Sequence, residues 1–315
     1  MFELAGKRVW VAGHRGMVGG ALLRRLATEP CEIVTIERRQ LDLRRQSAVE
    51  RFIRHSRPDA IVVAAARVGG ILANQTRPAE FLYDNMMIAA NIVAAAHENG
   101  VDRVLLLGSS CIYPRDAAQP IDETALLSGP LEATNEAYAL AKIAGVQLAR
   151  FYRRQFGRDY IAAMPSNLYG PGDNFDLGSG HVLPALLRKA HEARERGDRE
   201  LVVWGSGRPR REFLHVDDCA DALVLLLKSY SGDLPVNVGS GEEVRISELA
   251  RLVCRVVGFE GTIVYDGSKP DGTPRKLMSS VRLQDMGWRP RIALEAGLRD
   301  LYAGYRAQLR MGVAA

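Results

Sequence analysis

In the first half of the chain, apolar positions fall in short unbroken runs, separated by longer stretches where they recur every three or four residues. Arg8-Val9-Trp10-Val11-Ala12 reads as a strand, followed by a glycine turn and a helix to about Thr28. Glu32-Ile33-Val34-Thr35-Ile36, Ala60-Ile61-Val62-Val63-Ala64, Val104-Leu105-Leu106-Leu107 and Tyr160-Ile161-Ala162-Ala163-Met164 read as further strands. Runs that stay apolar instead of alternating predict strands covered on both faces. Their alternation with helical stretches predicts a parallel α/β sheet with right-handed crossovers. The longest helical stretches run over Pro78–Asn99 and Asn135–Phe156.

After Pro165 this rhythm breaks. A loop rich in Gly, Pro, Asp and Asn (Asn167–Gly180) precedes a helix over Val182–Arg196, and the remainder mixes short strands, Gly-Ser turns and helices. The expected fold class is therefore α/β: a doubly wound, Rossmann-type parallel sheet with a smaller mixed α/β domain. The first domain should span residues 1–165, with a returning segment at about 212–238. The second should span 166–211 and 239–315.

Gly13-His14-Arg15-Gly16-Met17-Val18-Gly19 sits directly after the first strand and opens a helix. Glycines there let the backbone turn tightly against a pyrophosphate, which the helix N-terminus then stabilises. The end of the second strand reads the ribose: an acid suits the 2′-hydroxyl of NAD, arginines the 2′-phosphate of NADP. Glu37 is followed by Arg38 and Arg39, and Arg15 faces the same place from the glycine loop. The arginines favour NADP, and Glu37 leaves NAD open. Asp42 and Leu43 are expected to flank the adenine.

Tyr138 and Lys142 stand four apart and so share a helix face. A neighbouring ammonium favours the phenolate and is expected to lower the tyrosine pKa. Ser109 and Ser110 follow the fourth strand, at the carboxyl edge where ligands of such sheets bind.

Together these residues resemble the extended short-chain dehydrogenase/reductase family. Asn167-Leu168-Tyr169-Gly170-Pro171 and Arg211-Glu212-Phe213-Leu214-His215-Val216-Asp217-Asp218 resemble that family's nucleotide-sugar enzymes. Gly108-Ser109-Ser110-Cys111-Ile112-Tyr113-Pro114, Val203-Trp204-Gly205-Ser206-Gly207 and Lys269-Pro270-Asp271-Gly272-Thr273-Pro274-Arg275-Lys276 resemble the branch acting on a GDP-4-keto-6-deoxy-mannose. So does the pairing of Cys111 with His181. The resemblance implies NADP(H) as cofactor and a GDP-sugar as substrate, epimerised at C3 and C5 and reduced at C4. It implies that Tyr138, Lys142 and Ser109 handle the proton at the C4 oxygen, and that Cys111 and His181 epimerise.

By the same resemblance, Gly13 to Gly19, Arg38 to Leu43, Leu107, Gly108, Ser109, Ser110, Lys142, Pro165, Ser166, Asn167, Leu168 and His181 line the cofactor. Lys189, Trp204, Arg211 and Asp271 hold the GDP-sugar. Lys189 stands where the family carries an arginine; it keeps the charge and loses the planar fork. A homodimer through the two long helices is also implied, with Phe81, Met86, Ile88 and Ile92 supplying apolar surface on the first.

Composition narrows the picture. The 315 residues carry 42 Lys and Arg against 37 Asp and Glu, a net charge of +5. These charges are interspersed, as in Arg194-Glu195-Arg196-Gly197-Asp198-Arg199-Glu200, which argues against a nucleic-acid stripe. A mild positive balance suits an anionic substrate. The N-terminus lacks signal-peptide order and no apolar run suits a bilayer, so a cytoplasmic protein is expected. Cys31, Cys111, Cys219 and Cys254 lack metal-ligand spacing, and no metal is expected.

On residue type alone, Cys111 can also be read as a small buried side chain and His181 as a helix-start polar residue. His14 reads as loop-forming, His215 as structural, and His55, His97 and His191 as surface residues. Two other functions fit the motifs: a single-function reductase or epimerase on a related GDP-4-keto sugar, and a catalytically silent NADP sensor. The intact Ser109, Tyr138 and Lys142 set speaks against the sensor.

Overall fold

A computed structural model describes residues 1–312. In chain order the elements are β1 (Arg8–Ala12), α1 (Met17–Leu26), β2 (Glu32–Val34), α2 (Gln46–Ser56), β3 (Ala60–Val63), α3 (Ile71–Thr76), α4 (Pro78–Glu98) and β4 (Arg103–Leu107). Then come α5 (Glu136–Phe156), β5 (Asp159–Pro165), β6 (Asn167–Tyr169), α6 (Val182–Arg196), β7 (Glu200–Trp204), β8 (Arg210–His215) and α7 (Val216–Ser229). The chain closes with β9 (Val236–Val238), β10 (Glu243–Arg245), α8 (Ile246–Val257), β11 (Thr262–Asp266), β12 (Arg275–Lys276), α9 (Val281–Asp285) and α10 (Leu294–Arg310).

Six parallel strands form the first sheet in the order β2-β1-β3-β4-β5-β9. Successive side chains of a strand point to opposite faces, and the unbroken apolar runs supply both. Val9, Val11, Ala60, Val62, Leu105 and Leu107 pack into the layer with α1 and α7. Trp10, Ala12, Ile61, Val63, Val104 and Leu106 pack into the layer with α2, α4 and α5. The second strand is shorter than its β-branched run, because Thr35 and Ile36 extend beyond the pairing of Val34 with Trp10.

The later segments build a second core. β8 pairs with β6, β10 and β12, while β7 and β11 form a separate parallel pair. Leucines of α6, α8 and α10 pack around these strands. Residues 212–215 lie in β8, on the second sheet, so the return to the first sheet runs through α7 and β9. Leu283 and Trp288 then rejoin the first core. Within the described residues no helix is long and apolar enough to cross a membrane.

Candidate active site

The turn after β1 is built for close approach. Gly13 adopts φ +87°, and a Cβ there would lie 2.6 Å from the Ala65 backbone. A Cβ on Gly19 would lie 2.1 Å from the Gly13 carbonyl oxygen, so the first turn of α1 is pressed onto the loop. Helix α1 starts after Gly16 with no side-chain cap and no acid in its first turn. Its first N–H groups therefore remain available to a diphosphate.

At the end of β2 the acid and a cation meet. Arg15 Nη2 lies 2.8 Å from Glu37 Oε1, with His14 Nε2 at 3.6 Å from the same oxygen. Arg38 and Arg39 are exposed beside them. Asp42 is held by Arg44, whose guanidinium drives its carboxyl down to about 2. The Leu43 carbonyl accepts a hydrogen bond from Asn91 Nδ2 at 2.9 Å. The Leu43 side chain is half-buried and packs on the core beneath α2 and α4.

Across the carboxyl edge of the sheet, Lys142 Nζ donates to the Leu107 carbonyl at 2.8 Å. Burial pushes its pKa down to about 8. The Tyr138 ring lies one helical turn earlier, its centroid 5.7 Å from that ammonium, with Phe81 of α4 edge-on against it. Burial drives the phenol pKa well above its usual value; nearby Cys111 adds to this, and the Ser109 hydroxyl opposes it. The expectation that Lys142 lowers it fails in the free protein, because desolvation outweighs an ammonium already directed at a carbonyl. A phenol that keeps its proton is the form a proton donor needs.

Ser109 caps the tight turn Ser110–Ile112, its Oγ accepting from the Cys111 N–H at 3.4 Å. That turn buries Cys111 at 7% exposure. Burial raises its thiol pKa, against the pull of Lys276, Ser109 and Lys142. Gly108 packs tightly on Met164: a Cβ there would lie 2.1 Å from the Met164 sulfur. Beyond β5, Ser166 Oγ is buried without a partner, and Asn167 Nδ2 donates to the Glu212 carbonyl at 2.8 Å. Pro165 closes β5 and Leu168 packs on the first core.

His181 occupies the N-cap position of α6. It keeps surface open to solvent, yet its neighbours exclude enough water to lower its pKa, so the imidazole is neutral at pH 7. The preceding loop is pinned by Asp176, which accepts from Gly178, Ser179 N and Ser179 Oγ. Ser179 in turn accepts from Gly70 N at 2.9 Å. Gly69, next in line, lies against Phe81, and Phe81 against Tyr138, so one chain of contacts links the His181 loop to the tyrosine.

The residues expected to hold a GDP-sugar come from α6 (Lys189), the end of β7 (Trp204), β8 (Arg211) and the loop before β12 (Asp271). Lys189 Nζ sits 4.7 Å above the Trp204 ring and Lys269 Nζ 5.4 Å from it. Arg211 is desolvated, which lowers its pKa, and its Nη2 donates to the Asp271 carbonyl at 3.3 Å. The Asp271 carboxylate accepts from Ser206 N and Ser206 Oγ, both at 2.7 Å, and thereby shapes the Gly205–Ser206 turn. Arg188 is paired with Glu192 at 2.7 Å and donates to the Phe175 carbonyl at 3.4 Å.

Two groups escaped the sequence reading as site residues. Lys276 is paired in register with Arg211, and its desolvated ammonium acts on Cys111. Its only sequence signal was membership of the Thr273-Pro274-Arg275-Lys276 segment. Asp173 follows Gly172, which lies against Met17 of the glycine loop. Burial lifts its carboxyl to about 7 and leaves Oδ2 without a partner. Two histidines expected on the surface are half-buried: His97 packs on Tyr152 and Phe156, and His191 Nδ1 lies 3.1 Å from the Tyr302 hydroxyl.

A parallel Rossmann-type sheet with a glycine-loop cradle and a Ser-Tyr-Lys set at its carboxyl edge defines a dinucleotide-dependent enzyme. The chain belongs to the NAD dependent epimerase/dehydratase family, which matches residues 9–239. It is similar to the GDP-L-fucose synthase of Sinorhizobium fredii (strain NBRC 101917 / NGR234), with 58% identity over 305 residues covering 97% of each chain. It is also similar to the GDP-L-fucose synthase of Escherichia coli (strain K12), with 51% identity over 95% of this chain and 96% of that one. A solved GDP-L-fucose synthetase from Naegleria fowleri bound to NADP matches with a TM-score of 0.88 and 27% identity, over 98% of this chain and 97% of that one.

Proposed function

We propose that this chain converts GDP-4-keto-6-deoxy-D-mannose to GDP-L-fucose with NADPH, epimerising C3 and C5 and reducing C4. The observation that carries this reading is the place of Cys111 beside the reductive set: its N–H donates to Ser109 Oγ at 3.4 Å, and it acts electrostatically on both Tyr138 and Lys142. The glycine cradle, the open start of α1 and the exposed Arg38 suit a dinucleotide bearing a 2′-phosphate.

A 4-keto group acidifies the protons on C3 and C5, because the carbanion left behind delocalises as an enolate. Inverting each carbon takes a base on one face and an acid on the other. The resting protein holds a neutral imidazole at His181 and a protonated thiol at Cys111, one group able to accept a proton and one able to donate it. Bound NADPH supplies the hydride for C4. Tyr138 delivers its proton to the C4 oxygen, Ser109 orients that oxygen, and Lys142 stabilises the phenolate left behind. Trp204, Lys189, Arg211 and Asp271 hold the GDP portion, Asp271 through the turn that it shapes.

The test is incubation with GDP-4-keto-6-deoxymannose and NADPH, with the product identified by NMR. GDP-L-fucose is expected; a product reduced at C4 but unepimerised, or no NADPH oxidation, overturns the reading.

The reading extends to assembly, domain division and place. The protein is a cytoplasmic homodimer whose residues 1–165, with the segment that returns through α7 and β9, form the cofactor domain and whose other segments form the GDP-sugar domain. Support for the dimer comes from α4 and α5, which pack side by side and expose Tyr83, Met86, Leu140 and Phe151. Phe81 and Ile92, expected to add to this surface, are buried within the chain, and Ile88 is half-buried.

A further inference from the structure

Neighbouring side chains on β8 point to opposite faces of its sheet, and both faces are basic. Arg211 and its register partner Lys276 belong to the GDP-sugar site. Arg210, one residue earlier, projects to the other face, directly opposite Arg245 on β10 and Arg275 on β12. Like charges placed opposite one another on a sheet repel and destabilise it. Glu243 answers part of that charge, at 3.0 Å from Arg210 and 2.8 Å from Arg275. Arg208, Arg245 and Arg251 have no carboxylate partner among the described residues.

These side chains surround a pocket of about 410 Å³, lined by Arg208, Arg210, Arg245, Arg251, Ser206, Ser247, Gly207, Tyr265 and Pro274. Its polar side chains are guanidiniums and hydroxyls, with no carboxylate among them. The Tyr265 ring rests on Gly207, where a Cβ would lie 2.3 Å from a ring carbon. The residue as a whole is 37% exposed. Planar guanidiniums suit phosphate oxygens in bidentate geometry, and a seated phenol ring offers a stacking surface to a base. The volume lies in the range of small-molecule sites.

We propose that this pocket is a second anion site that binds a diphosphate group, on the opposite face of β8 from the GDP-sugar site. The two sites share one piece of backbone. Ser206 lines the pocket, its turn is shaped by Asp271, and the Asp271 carbonyl accepts from Arg211.

The test is calorimetric titration of GDP into the full chain saturated with NADPH. Two GDP sites per chain are expected, one of them weakened about tenfold or more in the R208S/R251S variant and the other unchanged. Both arginines are exposed, so the variant keeps its fold, which an unchanged Tm verifies. Inorganic pyrophosphate forms the second arm. Binding to the arginine pocket as tight as that of GDP assigns it to the diphosphate alone; tighter GDP binding, lost in Tyr265→Ala, adds a base stacked on the ring. One GDP site per chain, or a second site indifferent to R208S/R251S, overturns the proposal. Arg211→Ala should weaken only the other site, which separates failure of this pocket from failure of the GDP-sugar reading.

Discussion

Arg15 reaches out of the glycine loop to Glu37 and pairs with it at 2.8 Å. The acid that would accept a ribose 2′-hydroxyl is thus engaged by a cation, while Arg38 stands exposed and free to meet a 2′-phosphate. NADPH should be preferred over NADH. Arg38→Ala should raise the KM for NADPH about tenfold or more, the loss of one charged hydrogen bond, and leave NADH nearly untouched. Steady-state kinetics with both cofactors is the check, and equal losses would remove Arg38 as the reader.

The two chemistries should separate by substitution. Tyr138→Phe removes the proton donor and leaves Cys111 and His181 in place. NADPH oxidation should fall by about a hundredfold or more, while C3 and C5 protons still exchange with deuterated solvent. Loss of exchange in this variant would merge both steps on one residue.

Cys111→Ser keeps the shape but raises the pKa of the group far above neutral, so exchange should nearly vanish. Reduction could then act only on the unepimerised ketone. Deuterium incorporation followed by NMR is the readout, and normal exchange would return Cys111 to a packing role.

Lys142 carries a pH signature. Its pKa is about 8 in the folded protein and 10.5 at the reference value, so between these limits the unfolded chain binds more protons. Stability therefore rises with pH in that window, as the cost of a buried ammonium is relieved. Relative to Lys142→Met, the wild-type chain without cofactor should gain about 2 kcal/mol between pH 8 and 10. Urea titrations of both proteins measure this, and parallel pH profiles would contradict it.

The α4–α5 surface should hold the dimer. Placing charge in an apolar contact leaves it unpaired and desolvated, so M86K/F151K should give a monomer at micromolar concentration. Light scattering decides, and a wild-type chain that is itself monomeric ends the proposal.

Local pattern was enough for the first domain. Unbroken apolar runs announced β1, β3, β4 and β5, because a strand covered on both faces needs apolar residues at every position. The glycine loop was legible because only glycine permits the Gly13 turn and the Gly13–Gly19 approach. The spacing of Tyr138 and Lys142 placed them on one face of α5, and helix α6 was visible from end to end.

What the tertiary structure decided concerns partners distant in the chain. No local pattern says that Lys142 points at the Leu107 carbonyl, that desolvation outweighs it at Tyr138, or that Glu37 is taken by Arg15. Lys276 becomes part of the site only when β12 pairs beside β8 and brings it level with Arg211. His97 and His191 are half-buried because their aromatic partners arrive from other helices, α5 and α10. Secondary structure follows from periodicity over a few residues. Burial, charge pairing and pKa depend on sheet register and helix packing, which join residues that the sequence keeps far apart.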